Sequence, residues 1–260
     1  MADDDLKARL LAVRKPPPPL EPVTLVAREE VTPRLLRLRF EGDVLRRLDV
    51  PQVAMSVRLV VPWAGEDELV IPEWEGNEFL RADGSRPALR TFTPLDHDPD
   101  AGQLTLEIVR HDGGAVSAWA ESAAIGARAA LSGCSAGYDI PPEAEVLLVL
   151  GDETAIPAIR QIVAAAPDHV TLETHIEVVG ESAVVDLPAE WHVTPHGESP
   201  GGQLAEVVES LEALGDGTYV WAAGEAGAMQ RIRTHLFKRL GVDRGRAAIR
   251  GYWKPAARSS

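Results

Sequence analysis

Near Glu143 the hydrophobic pattern of the chain changes period, and that change restricts it to a two-part architecture. On the N-terminal side, "VTLVAREEV" from Val23, "RLLRLRF", "SVRLVV" and "QLTLEIVRH" alternate apolar and polar residues between Gly, Pro and Asp clusters. Such alternation marks antiparallel strands with one buried face. Leu36, Leu38 and Phe40 are predicted to face a core while Arg37 and Arg39 face outward. On the C-terminal side, "VLLVLG" from Val146 and "YVWAAG" from Tyr219 are continuous apolar runs, as strands buried on both faces require. Helical spacing follows each of them, in "ETAIPAIRQIVAAA" and in "GAMQRIRTHLFKRLG", with Gly241 as the expected C-cap. Between these units lie a strand, "TLETHIEVV", and a helix, "QLAEVVESLEAL"; "AAIRGYW" is a last short strand. The predicted fold class is an antiparallel β-barrel domain over residues 23–142 followed by an α/β domain over residues 143–260. Residues 1–22 are predicted to be an N-terminal arm, helical or frayed, and a polyproline connector "KPPPPLEP" from Lys15 to Pro22.

The formal charge of −14 argues against nucleic acid or an anionic membrane as partner. An anionic ligand must therefore be held by particular arginines, lysines or backbone amides. A single cysteine, Cys134, excludes an internal disulfide and a Cys-based metal or iron–sulfur centre. No HxxxH or HExxH spacing is present, so no resident metal is expected. No apolar run suits a membrane span. A cytoplasmic monomer is the expectation.

Two stretches carry a ligand-binding signal. "RTFT", Arg90 to Thr93, sets a guanidinium, an aromatic ring and two hydroxyls together; "HDGGAVSAWA", from His111, puts Gly113 and Gly114 before a helix whose first N–H groups are free to meet an anion, with Ser117 as a further donor. Arg90 can bind phosphate in a fork while the helix amides bind from the other side. In the α/β half, Asp152, Glu153 and Thr154 at one strand end and Gly224 and Glu225 at the next line the sheet edge where such folds bind ligands, although the same residues suit N-capping. "GYWK" offers Tyr252 and Trp253 as core or as a wall for a planar cofactor, with Lys254 at the mouth. The absence of GxSxG disfavours a hydrolase.

In order along the chain, "VTPRLLRLRFEGD", "RTFT", "HDGGAVSAWA", "GDETAIPAI", "YVWAAGEAGAMQRIRTHL" and "IRGYWK" resemble the motifs of the siderophore-interacting flavoproteins, which share the ferredoxin-reductase plan. The resemblance runs from about Val23 to Lys254. It implies an FAD-binding barrel and an NAD(P)H-binding α/β domain. By that resemblance Arg90, Thr91, Phe92, Thr93, His111, Gly113, Gly114, Ser117 and Trp253 bind FAD: Arg90 and the Gly-Gly segment at the phosphates, Phe92 against the flavin, Thr93 near its reactive edge. Asp152, Glu153, Thr154, Gly224 and Glu225 meet NADH or NADPH, and Lys254 and Arg250 attract a ferric siderophore. Three departures stand out: Phe92 replaces the usual Tyr, Pro94-Leu95 stands where a further arginine is common, and Ala115-Val116 replaces Pro-Ala. Glu181, with no arginine beside it, leans toward NADH.

The activity so implied is FAD-dependent reduction of Fe(III) in a siderophore by NAD(P)H. A general NAD(P)H:flavin or quinone oxidoreductase and a non-reducing siderophore-binding protein remain as alternatives.

Overall fold

The computed structural model describes residues 17–255 except 67, 136, 181–186 and 198. The expected arm over residues 1–15 and Glu181 lie outside the described residues. The first domain contains β1 (Leu20–Thr32), β2 (Leu35–Glu41), a short helix α1 (Asp43–Arg46), β3 (Val57–Val61), a two-residue hairpin of β4 (Glu73–Trp74) and β5 (Phe79–Leu80), β6 (Ala88–Phe92), β7 (Leu95–Asp98), β8 (Gln103–Val109), helix α2 (Ala115–Ser122) and β9 (Arg128–Ser132). Seven of these strands form one antiparallel sheet in the order β6-β3-β9-β1-β2-β8-β7. Its two edge strands are consecutive in the chain. Thr93 and Pro94 alone carry the backbone from one edge to the other, so the rolled sheet is closed there by covalent chain.

The alternation seen in the sequence sets the inside of this sheet. Leu36, Leu38 and Phe40 are at most 1% exposed and pack with Leu25, Leu59, Leu104, Leu106 and Leu131, while Arg37 lies on the other face, 2.7 Å from Glu107. Full burial stabilises each such leucine by about 1.5–3 kcal/mol. The predicted start at Val23 is corrected: β1 begins at Leu20, because Leu20 to Thr24 pair with Ser132 to Arg128 of β9.

The second domain contains β10 (Val146–Asp152), helix α3 (Ile156–Ala165), β11 (Thr171–Val178), β12 (His192–Pro195), helix α4 (Gly202–Glu209), β13 (Thr218–Glu225), helix α5 (Ala226–Thr234) and β14 (Ala247–Trp253). Its five strands are all parallel, in the order β12-β11-β10-β13-β14. The chain runs outward from β10 to β12, then returns to build β13 and β14 on the other side. The order therefore reverses between β10 and β13, where a crevice opens at the carboxyl ends of the strands. Ile156, Ile159 and Ile162 of α3 cover one face with Leu147, Val149, Ile176 and Trp221; Leu204 and Val208 of α4 and Met229 and Ile232 of α5 cover the other with Leu148, Leu150 and Val220. Gly151 lets α3 approach β10, since a Cβ there would lie 2.6 Å from the Ala155 Cβ.

One residue crosses the division. Ala54 lies in the first domain's segment between α1 and β3, yet it is 1% exposed and packs in the core of the second.

Candidate functional site

Helix starts separate the two domains chemically. Among the described residues, four helices have eight residues or more. Three begin at or beside the crevice edge, and at each a carboxylate of the chain accepts from at least one backbone amide at or just before the start. Asp152 accepts from the Thr154 amide at 2.9 Å and caps the 3-10 turn that leads into α3. Glu177 accepts from the amides of Gly201 at 2.6 Å and Gln203 at 3.0 Å at the start of α4, and Glu225 accepts from Ala228 at 2.8 Å at the start of α5. The fourth helix, α2, has Gly114 as N-cap and no side-chain cap. Its first-turn N–H groups meet no carboxylate among the described residues and are open to an anion.

Sequence and geometry converge on that start. Gly113 sits at φ +76°, a left-handed conformation that glycine tolerates. Gly114 leaves room for the His111 ring, because a Cβ there would fall 2.4 Å from its Cε1. Ser117 is buried, and its Oγ accepts from the His111 amide at 3.1 Å, which ties the helix start to the loop before it. Strand pairing sets Arg90 opposite Leu59 and Phe92 opposite Val57, which puts both on the core-facing side that α2 also packs against. Arg90 is exposed, hydrogen-bonded to the Leu89 carbonyl at 2.7 Å and in no ion pair among the described residues. Thr91 lies on the opposite face of β6.

At the domain seam the expected residues meet across the boundary. Burial pushes the Tyr252 phenol of β14 up to about 12, and Thr93 opposes that rise across the boundary. The Trp253 indole N–H donates to Asp152 Oδ2 at 2.7 Å, which commits the indole nitrogen to the second domain. Asp152 also accepts from the Thr154 hydroxyl at 2.6 Å; burial raises its pKa, and the bonds from Thr154 and Trp253 oppose that rise. Gly224 stands over it at φ +155°, where a Cβ would lie 2.6 Å from Oδ2.

The sheet edge thus forms where the sequence indicates, but with different work for its side chains. Asp152 and Glu225 are caps, and Glu153 accepts from Arg34 at 3.2 Å and from the Val179 amide at 2.5 Å. These carboxylates are buried, and each already accepts hydrogen bonds from the chain itself. Arg250 needs a second correction. Its guanidinium points into the seam and donates to the carbonyls of Ala54 and Gly137, which removes it from an open chelate site. Lys254 is exposed, as expected.

The sequence reading missed Arg58. It sits beside Thr91 on the outer face of the barrel, 5.9 Å from the Phe79 ring centroid, with a buried Nη1 that has no hydrogen-bond partner and a pKa lowered by burial. A lone arginine in the apolar strand "SVRLVV" was the available signal.

The open helix start, the unpaired Arg90 on the same face and the ring of Phe92 fit the phosphates and flat ring of a flavin dinucleotide. Comparison with known proteins gives the same assignment. Residues 24–138 match the siderophore-interacting FAD-binding domain and residues 144–256 the siderophore-interacting protein domain. The chain belongs to the siderophore-interacting protein family. A siderophore utilization protein from T. fusca is 30% identical, with 95% of this chain and 97% of that one superposing at a TM-score of 0.76. The family's barrel-then-parallel-sheet plan is ferredoxin-reductase-like. The mycobactin import ATP-binding/permease protein IrtA of Mycolicibacterium smegmatis is 29% identical over 88% of this chain, which spans 25% of that protein's length. The NADPH-dependent ferric-chelate reductase of Escherichia coli is 24% identical over 76% of this chain and 75% of its own.

Proposed function

We propose that this chain is an FAD-dependent ferric-siderophore reductase, with NADH or NADPH as electron source and Fe(III) in a siderophore as substrate. The observation that carries the reading is the pairing of the α2 start, where no carboxylate among the described residues accepts from the first-turn amides, with Arg90 on the same barrel face. Bound FAD supplies the conversion between a two-electron donor and a one-electron acceptor. The chain's own part is to hold it. The α2 amides and Arg90 take the phosphates, Phe92 supports the flat ring, and Thr93, beside Tyr252, stands at the reactive edge. The nicotinamide enters over Thr154 and Gly224, with its phosphates met away from the capped helix starts. Lys254, exposed and in no ion pair among the described residues, gives an anionic ferric chelate a cation against an overall charge of −14. Reduction lowers the charge on iron and loosens its hard oxygen ligands. The same overall charge supports a protein that avoids nucleic acid, and a cytoplasmic monomer suits the proposed donor. No described helix is long and apolar enough to cross a membrane.

The test is anaerobic. FAD-loaded protein is mixed with NADH or NADPH and a panel of ferric hydroxamate and catecholate chelates, and Fe(II) is trapped by a coloured chelator. Fe(II) forming faster than with free FAD supports the reading. A flavin that bleaches but is reoxidised by no chelate points to a general oxidoreductase; one that never bleaches points to another donor or to a binding role.

A further inference from the structure

We propose that Gln161 and Arg250 are positioning residues that set the spacing between Thr93 and Tyr252 by gripping the two peptide groups of Ala54. The proposal rests on the flavin reading of the seam and adds to it the device that holds the seam at one width.

Ala54 is unusual in three respects that belong together. It has φ +52°, a left-handed conformation that costs a residue with a Cβ about 1 kcal/mol or more. It is buried, and buried in the core of the other domain. Both its polar groups are taken by that domain: the amide N–H donates to Gln161 Oε1 at 2.9 Å and the carbonyl accepts from Arg250 Nη1 at 3.2 Å. A strained backbone persists where its surroundings over-determine it, and here the surroundings are two side chains from different elements, α3 and β14.

Each gripping residue also reaches the site. The other end of the Gln161 amide donates to the Pro94 carbonyl at 2.8 Å, one residue beyond Thr93 and inside the link that closes the barrel. Arg250 lies two residues before Tyr252 on the same strand and ties the barrel a second time through the Gly137 carbonyl. Ala54 is therefore the common anchor of two arms, one ending at Thr93 and the other at Tyr252. A primary amide is suited to the first arm because it accepts at one end and donates at the other.

The test uses the holoprotein and two variants. Gln161→Leu keeps the volume and removes both hydrogen bonds; Gln161→Glu keeps the acceptor for Ala54 and removes the donor to Pro94. Hydrogen exchange in Gln161→Leu is expected to rise about tenfold in peptides covering residues 88–98 and 247–254, with α2 and β1 unchanged. Gln161→Glu is expected to show the rise in residues 88–98 and to keep residues 52–56 protected. Bound-flavin fluorescence is expected to increase in both variants, and kcat for the chelate to fall by roughly tenfold to a hundredfold with KM nearly constant, as a misplaced reacting edge predicts. Faster exchange confined to residues 52–56, with the 88–98 and 247–254 peptides unchanged, would overturn the proposal, whatever the melting temperature does. The exchange measurement does not require flavin. A wild type that binds no FAD would sink the flavin reading, and the clamp would still be decided by those peptides.

Discussion

Replacing Arg90 by alanine separates ligand binding from folding more cleanly than any other change at the site. The side chain is exposed, its hydrogen bond is to the carbonyl of its own neighbour Leu89, and no carboxylate among the described residues depends on it. Removing it leaves no buried partner unsatisfied, so folding stability should change by no more than about 0.5 kcal/mol. A charge-assisted hydrogen bond to phosphate contributes about 1.5–3 kcal/mol, which weakens FAD binding by roughly 10- to 150-fold. Arg90→Lys keeps the charge and loses the fork, so it should fall between the two. The assay is a titration of apoprotein with FAD followed by flavin fluorescence, run beside thermal melts of the apo forms. Apo melting temperatures that coincide, with Kd values an order of magnitude or more apart, are the expected result. An Arg90→Ala protein that binds FAD within twofold of wild type would refute the phosphate role, and one whose apo form melts far lower would show that the arginine is structural.

Other consequences can be measured in parallel. Because burial raises the Asp152 pKa, its folded form binds the proton more tightly than the unfolded chain does; stability should fall as pH rises from the ordinary carboxylate value through the raised one. Asp152→Asn lacks that slope, so chemical-denaturation midpoints of the two proteins between pH 4 and 8, about the carboxylate range and above, should change relative to each other, and parallel curves would refute it. All three tyrosines are shifted upward, Tyr138 and Tyr252 to about 12 by burial and Tyr219 chiefly by its bond to Glu143. Near pH 10, the ordinary tyrosine value, the folded protein should show much less tyrosinate absorbance than the unfolded chain. Glu177→Ala strips the α4 start of its acceptor and should cost about 1–3 kcal/mol in urea unfolding, while leaving FAD affinity unchanged. Leu38→Ala opens a cavity among fully buried leucines and should cost about 2–5 kcal/mol.

Local patterns in the sequence revealed what local physics decides. The alternation of Leu36, Leu38 and Phe40 gave the barrel face, and the unbroken runs at Val146 and Tyr219 gave the parallel strands. Gly113 and Gly114 before α2 marked the proposed anion site because a left-handed turn and a close ring both leave their trace as glycine. What stayed hidden depends on partners far along the chain. Glu177 reads as one more residue of a strand, and its cap closes on amides more than twenty positions later. Arg250 looks like a free strand charge until the fold brings the Ala54 and Gly137 carbonyls to it. Ala54 itself carries no sign of its left-handed backbone, since glycine or asparagine is the usual marker for that conformation. The capping alternative for Asp152 and Glu225 was visible, but choosing it required the carboxylates' buried bonds.

The place of Ala54 also bears on how such two-part chains are recombined. A crossover in the connector between β9 and β10 would look harmless, because it lies between two compact units. It would nevertheless give the second unit a foreign residue for its core and give Ala54 a foreign glutamine and arginine to meet. Halves exchanged between distant members should therefore assemble poorly unless Ala54, Gln161 and Arg250 travel as a set. The inheritable module is wider than the boundary its strands suggest.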